Sequence, residues 1–142
     1  HYTGSDPEQK KFEDTLHRTL GSVAIKNDLL YIADQSGLFH CLNAKTGKVH
    51  WTHDMLAASW ASPLIVDEKV YMGDEDGDIC IFKLSPDKDL IGEINMGSSV
   101  YSTPVVANNV LFIASKDELF AIQPGAMFKR TKSKSSGGEV AD

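Results

Sequence analysis

A gapless repeat of forty residues constrains this chain more than any other feature. Ser22–Leu42 (SVAIKNDLLYIADQSGLFHCL) lies directly over Ser62–Phe82 (SPLIVDEKVYMGDEDGDICIF). Ser22/Ser62, Ile25/Ile65, Tyr31/Tyr71, Asp34/Asp74 and Gly37/Gly77 are identical pairs. A third copy, TPVVANNVLFIASKDELFAI, begins at Thr103, one residue later in phase. Repeats of this length, made of short apolar runs with turns between them, mark the four-stranded blades of a β-propeller. The fold expected is therefore all-β: blades of four antiparallel strands, between two and a half and three of them.

Turn residues place the strands. Val23–Lys26 and Leu29–Ala33 flank Asn27-Asp28, a hairpin pair. Leu38–Leu42 follows Ser36-Gly37, and Val49–His53 follows Lys45–Lys48. The second copy gives Pro63–Val66, Val70–Gly73, Ile79–Leu84 and Leu90–Asn95; the third gives Pro104–Ala107, Val110–Ala114 and Leu119–Gln123. Leu64-Ile65-Val66 is apolar without alternation, which suits an inner strand covered on both faces. The organisation expected is an outer strand end of a preceding blade (1–4), a charged insertion (5–18), blade one (19–58), blade two (59–99), a partial blade three (100–125) and a disordered polar tail (126–142).

Charge excludes one class of function. Net charge is −6, and the tail from Lys129 contributes +2, so the rest carries −6 − 2 = −8. Nucleic-acid binding needs a basic face instead. No window approaches the roughly eighteen apolar residues of a membrane helix, and no signal peptide is legible. The chain begins at His1 rather than Met and reads as trimmed or excised from something longer. Cys41 and Cys80 are one residue out of phase in the repeat, so they face opposite sides of equivalent strands, which argues against a bridge.

Cys41–Trp51, CLNAKTGKVHW, is the sharpest motif. It resembles the repeat of the pyrroloquinoline-quinone-like (quinoprotein-type) β-propellers, close to A-x-D-x-x-T-G-x-x-x-W. Thr46, Gly47 and Trp51 match; Cys41 and Asn43 stand where Ala and Asp are usual. The resemblance implies that Trp51 docks between adjacent blades and that Gly47 makes the turn before it. It also implies a periplasmic or secreted setting. Blade two departs from the motif, with PDKDLIGEI replacing TGKVHWTHD.

Propellers have roughly 4–8 blades, so this chain reads as part of a larger ring. The alternative is a homo-oligomer in which His1–Gly4 of one copy completes the third blade of another.

Candidate chemistry is sparse. Asp74, Asp76 and Asp78 could hold calcium, but Asp-Gly is also a strong turn signal, and the turn is favoured. His40, Cys41, His50 and His53 could suit zinc. Strand pairing is expected to set Cys41 near His50, with His40 and His53 on the other face beside Trp51. Leu20, Trp60 and Tyr101 share one repeat position and read as interblade core. No catalytic residues are identified. The function expected is a non-catalytic propeller segment that binds a protein partner or ligand, without cofactor, nucleic acid or membrane span. The alternative is a fragment of a pyrroloquinoline-quinone-dependent alcohol or sugar dehydrogenase, with calcium. The long chain and adjacent Cys-Cys pair typical of those enzymes are missing from this sequence.

Overall fold

The computed structural model describes residues 16–125. The expectations for residues 1–15 and 126–142 lie outside them. Each hairpin begins from a pair of residues that accepts a left-handed backbone. Asn27-Asp28 (φ 54° and 61°), Asp67-Glu68 (48° and 55°) and Asn108-Asn109 (51° and 61°) all have two positive φ values in succession. That geometry matches the twist of the flanking strands and makes two-residue hairpins. They join β1 (Ala24–Lys26) to β2 (Leu29–Ala33), β5 (Leu64–Val66) to β6 (Lys69–Gly73), and β9 (Val105–Ala107) to β10 (Val110–Ala114). The remaining strands are β3 (Leu38–Asn43), β4 (Val49–Asp54), β7 (Asp78–Lys83), β8 (Leu90–Asn95) and β11 (Leu119–Ile122).

Three antiparallel sheets result, ordered β1-β2-β3-β4, β5-β6-β7-β8 and β9-β10-β11. They are consecutive blades of a β-propeller, and no helix occurs among the described residues. Both four-stranded sheets carry a bulge in the outer pair, between Cys41 and Leu42 and between Ile81 and Phe82. Cys41 pairs with Trp51 while Leu42 pairs with Val49, so His50 is the extra residue. A bulge of this kind re-aims every side chain beyond it.

Alternation along the strands then builds two interblade cores. Leu29, Tyr31, Phe39, Cys41 and Trp51 of the first sheet meet Val70, Met72, Cys80 and Phe82 of the second. The other face of the second sheet offers Tyr71, Ile79 and Ile81 to Leu111, Ile113, Phe120 and Ile122, with Met96 and Val100 sealing the gap. Cys41 and Cys80 are both buried free thiols. They do face opposite sides of their sheets, and because the sheets are neighbours both enter the same core.

One expectation about burial fails. Leu64, Ile65 and Val66 are only half-buried. β5 is the first strand of its sheet, with one hydrogen-bonded neighbour. The strand buried along most of its length is β3, in the middle of the first sheet under the interblade packing, while β2 alternates between buried and half-buried residues.

Candidate functional site

The loops gather at two rims. At one, the turns Asp34–Gly37, Asp74–Gly77 and Ser115–Glu118 meet the interblade segments 55–63 and 96–104. Backbone bonds hold them together: Met55 N–H to the Gly37 carbonyl (2.8 Å), Glu75 N–H to Ala58 (2.9 Å), Val100 N–H to Asp74 (2.9 Å) and Lys116 N–H to Ser99 (2.7 Å). Gly37 (φ +92°) and Gly77 (φ +93°) close the first two turns. A Cβ at either would lie 2.6 Å from a backbone oxygen, of Ala57 or Ser98. No side chain fits there, and the left-handed backbone favours glycine as well.

The aspartate that opens each turn has a different fate. Asp34 is fully buried. Its Oδ1 accepts from the Ser36 N–H (2.9 Å), the Leu38 N–H (3.1 Å) and the Ser36 hydroxyl (2.6 Å). Its Oδ2 accepts from the His17 N–H (3.0 Å) and faces His17 Nδ1 (3.1 Å) and His40 Nε2 (3.5 Å). Burial alone would raise its pKa, but the bonds from Ser36, His17 and Leu38 outweigh it and hold the carboxyl below its usual range. His40 shifts down instead, because burial disfavours its cation more than Asp34 favours it.

Asp74, at the same repeat position, also caps its turn through Oδ1, which accepts from the Asp76 and Asp78 N–H groups (3.0 and 2.9 Å). Its Oδ2 is buried with no hydrogen-bond partner among the described residues. Where Asp34 has His17 and His40, the repeat supplies Ala57 and Cys80. Burial therefore prevails, aided by the negative charges of Asp78 and Asp76, and the Asp74 pKa rises.

The three calcium candidates do not converge. Asp74 spends Oδ1 on its own turn, Asp78 accepts from Asn95 Nδ2 at 2.8 Å, and Asp76 is exposed. Among the described residues no group of three His, Cys, Asp or Glu side chains is placed to hold a metal ion. The expected arrangement of the zinc candidates is wrong, and the bulge is the reason. Cys41 lies opposite Trp51 rather than His50, and His53 pairs with Phe39 on that same face. His40 turns to the other face, toward Asp34, and His50 is the exposed extra residue of the bulge.

Trp51 lies 7% exposed between the first two blades. Its ring stacks on Phe82 of the second blade (centroids 5.1 Å, 29° between planes) and packs edge-on to Phe39 (5.9 Å). The Ser85 carbonyl in the loop after β7 accepts three donors from the first blade: Tyr31 Oη (3.4 Å), Trp51 Nε1 (3.4 Å) and Cys41 Sγ (3.9 Å). Burial pushes the Cys41 thiol up to about 11. Gly47 takes φ +73° in the turn before β4, where Asn43 Oδ1 accepts from the Lys45 and Thr46 N–H groups (3.0 and 2.9 Å). Thr46 Oγ1 accepts from the Lys48 N–H (3.3 Å).

The aromatics read as interblade core are at the surface instead. Trp60 is 41% exposed, Tyr101 49% and Leu20 50%. The Trp60 and Tyr101 rings meet edge to face at 6.0 Å, and Trp60 Nε1 donates to Glu75 Oε2 (3.2 Å). They sit in segments leading into β5 and β9, on the loop rim, where side chains leave the sheet stack.

A family model described as outer membrane protein assembly factor BamB matches residues 5–87, more than half of the chain. The chain belongs to this family. Among solved structures it is similar to BamB from Moraxella catarrhalis, with a TM-score of 0.63 and 22% identity over 74% of this chain and 33% of that one. It is also similar to the quinohemoprotein alcohol dehydrogenase of Comamonas testosteroni, with a TM-score of 0.60 and 15% identity over 71% of this chain and 18% of that one. A polyvinylalcohol dehydrogenase from Pseudomonas sp is 41% identical over 46 residues, 32% of this chain and 7% of that protein. The chain thus spans a third or less of each relative. The two solved structures support the blade architecture of the BamB family and, at such identities, the fold alone.

Proposed function

We propose that this chain is a segment of a larger extracytoplasmic propeller that acts as a non-catalytic scaffold for a protein partner. The observation that carries this reading is the loop rim, which exposes Trp60 and Tyr101 side by side while the catalytic residue types behind it are spent on structure. Asp34 and His40 bind each other, and Cys41 donates to the Ser85 carbonyl. Loops on a rigid scaffold are where partners bind, and large exposed aromatics are the side chains interfaces favour. The family's description as an outer membrane assembly factor supports the setting and the role.

A second reading, a fragment of a quinoprotein dehydrogenase, is favoured by the 46-residue match to polyvinylalcohol dehydrogenase. The test is titration with pyrroloquinoline quinone and calcium, followed by quinone absorbance and by dye-linked oxidation of ethanol and polyvinyl alcohol. The scaffold reading expects neither a spectral change nor turnover. Saturable turnover overturns it.

A further inference from the structure

Leu56 is 86% exposed and held at φ 64°. A bulky side chain in the left-handed region is a true outlier. The next blade shows the relaxed alternative at the same position: Gly97, φ +85°. In both loops the side chain two residues earlier caps this N–H, Asp54 Oδ1 for Leu56 and Asn95 Oδ1 for Gly97, each at 2.8 Å. The first loop therefore keeps an exposed, strained leucine where glycine would fit. Trp60 lies four residues on, against Tyr101. All three large apolar side chains stand exposed in the rim segments 55–63 and 96–104, which needs a reason.

Charge is distributed unevenly between the rims. Among the described residues, the turns and segments of this rim carry Asp54, Glu75, Asp76, Asp78, Asp117 and Glu118, all exposed or half-buried, against Arg18 and Lys116, a balance of −4. The opposite rim (26–28, 45–48, 67–69, 83–89) holds six lysines against five carboxylates, a balance of +1. An acidic rim that also exposes apolar side chains attracts cations and rejects anionic partners.

Resting on the scaffold reading, we propose that this rim binds an extended cationic segment of another protein, with an aromatic or long aliphatic side chain seated against Leu56, Trp60 and Tyr101. The aromatic pair supplies the kind of anchor that dominates interfaces. The carboxylates fix the sign of the partner.

The test uses the full chain and fluorescein-labelled twelve-residue peptides of Lys, Arg, Phe and Leu, read by anisotropy. The control peptide carries Glu for every cation. The cationic peptide is expected to bind, to lose about tenfold or more with Trp60→Ala/Tyr101→Ala, and to weaken as salt rises. The Glu peptide is expected not to bind. Leu56→Gly is expected to weaken binding severalfold while raising Tm by about 2–4 °C, a pairing that a purely structural Leu56 would not give. Equal binding of both peptides, or binding untouched by the rim variants, overturns the proposal. So does a tenfold gain on neutralising Lys129, Arg130, Lys132 and Lys134 to Gln, which would assign the rim to the chain's own tail. Quinone turnover would defeat the scaffold reading separately, whatever the peptides do.

Discussion

Asp34 and Asp74 occupy one repeat position and one turn, yet replacing each by asparagine is expected to have very different consequences. In Asp34→Asn the amide NH2 must displace one carboxylate oxygen. Facing the Oδ2 side it meets the His17 N–H; facing the Oδ1 side it meets the Ser36 and Leu38 N–H groups. Either orientation sets donor against donor in a fully buried site. Hydrogen bonds to a charged group contribute about 1.5–3 kcal/mol each. Losing one or two of them puts the cost at about 3 kcal/mol. In Asp74→Asn the amide oxygen keeps the Asp76 and Asp78 N–H bonds, and the NH2 takes the place of an oxygen that bonds nothing among the described residues. No hydrogen bond is lost and a poorly solvated charge is removed, so the change should stay within about 1 kcal/mol of zero. Urea unfolding at pH 7, followed by tryptophan fluorescence, measures both. The pH dependence gives a second check. The folded Asp74 pKa is raised, so the native state binds the extra proton, and this group's contribution falls as pH rises from the unfolded value of 3.8 through the folded one. Asp34 has the opposite sign: its contribution is present above 3.8 and is lost as pH falls through its depressed value. Asp74→Asn should therefore remove a decline in stability on the alkaline side of pH 4. Equal costs for the two variants would refute the reasoning, since they would mean that Asp74 Oδ2 has a partner as strong as His17.

Three further outcomes follow from the packing. Trp51→Ala should cost about 3–5 kcal/mol, the range for a large buried aromatic, with a matching fall in the urea midpoint; a loss under 1 kcal/mol would contradict its role between the blades. Gly77→Ala should cost at least about 2 kcal/mol, because φ +93° and a backbone oxygen 2.6 Å away both oppose a Cβ; calorimetry would show it as a drop in Tm. Glu68→Gly should instead stabilise by about 0.5–1 kcal/mol, since it relieves a left-handed residue and gives up only an exposed ion pair to Lys26; an unchanged or lower Tm would show that the ion pair matters more than the backbone.

The blades were legible because hairpin pairs such as Asn27-Asp28 announce themselves locally, and the forty-residue spacing multiplies that signal. β2 and β10, which leave such pairs, were placed to the residue for this reason. The bulge at Cys41/Leu42 has no local signature in CLNAKTGKVHW, so the face assignments of His50, His53 and Trp51 slipped by one. The Asp34 network was invisible for another reason. His17 stands seventeen residues before Asp34, in the stretch that the sequence reads as a charged insertion outside the blades. The Ser85 contact hides in the same way: a backbone carbonyl that collects three donors carries no mark in the side-chain sequence. For Trp60 and Tyr101, repeat position alone cannot separate a buried contact from a rim contact, because both recur at the blade interval.

The two interblade cores also differ in kind. The first is tied by a tryptophan, two phenylalanines and a tyrosine, and the second by aliphatic side chains with smaller aromatic support. In a row of units that touch only their neighbours, stability resides in the junctions. The third blade should therefore part from the second before the second parts from the first. Amide exchange would then run as a gradient along the chain, slowest in β2 and β3 and fastest in β9 and β11.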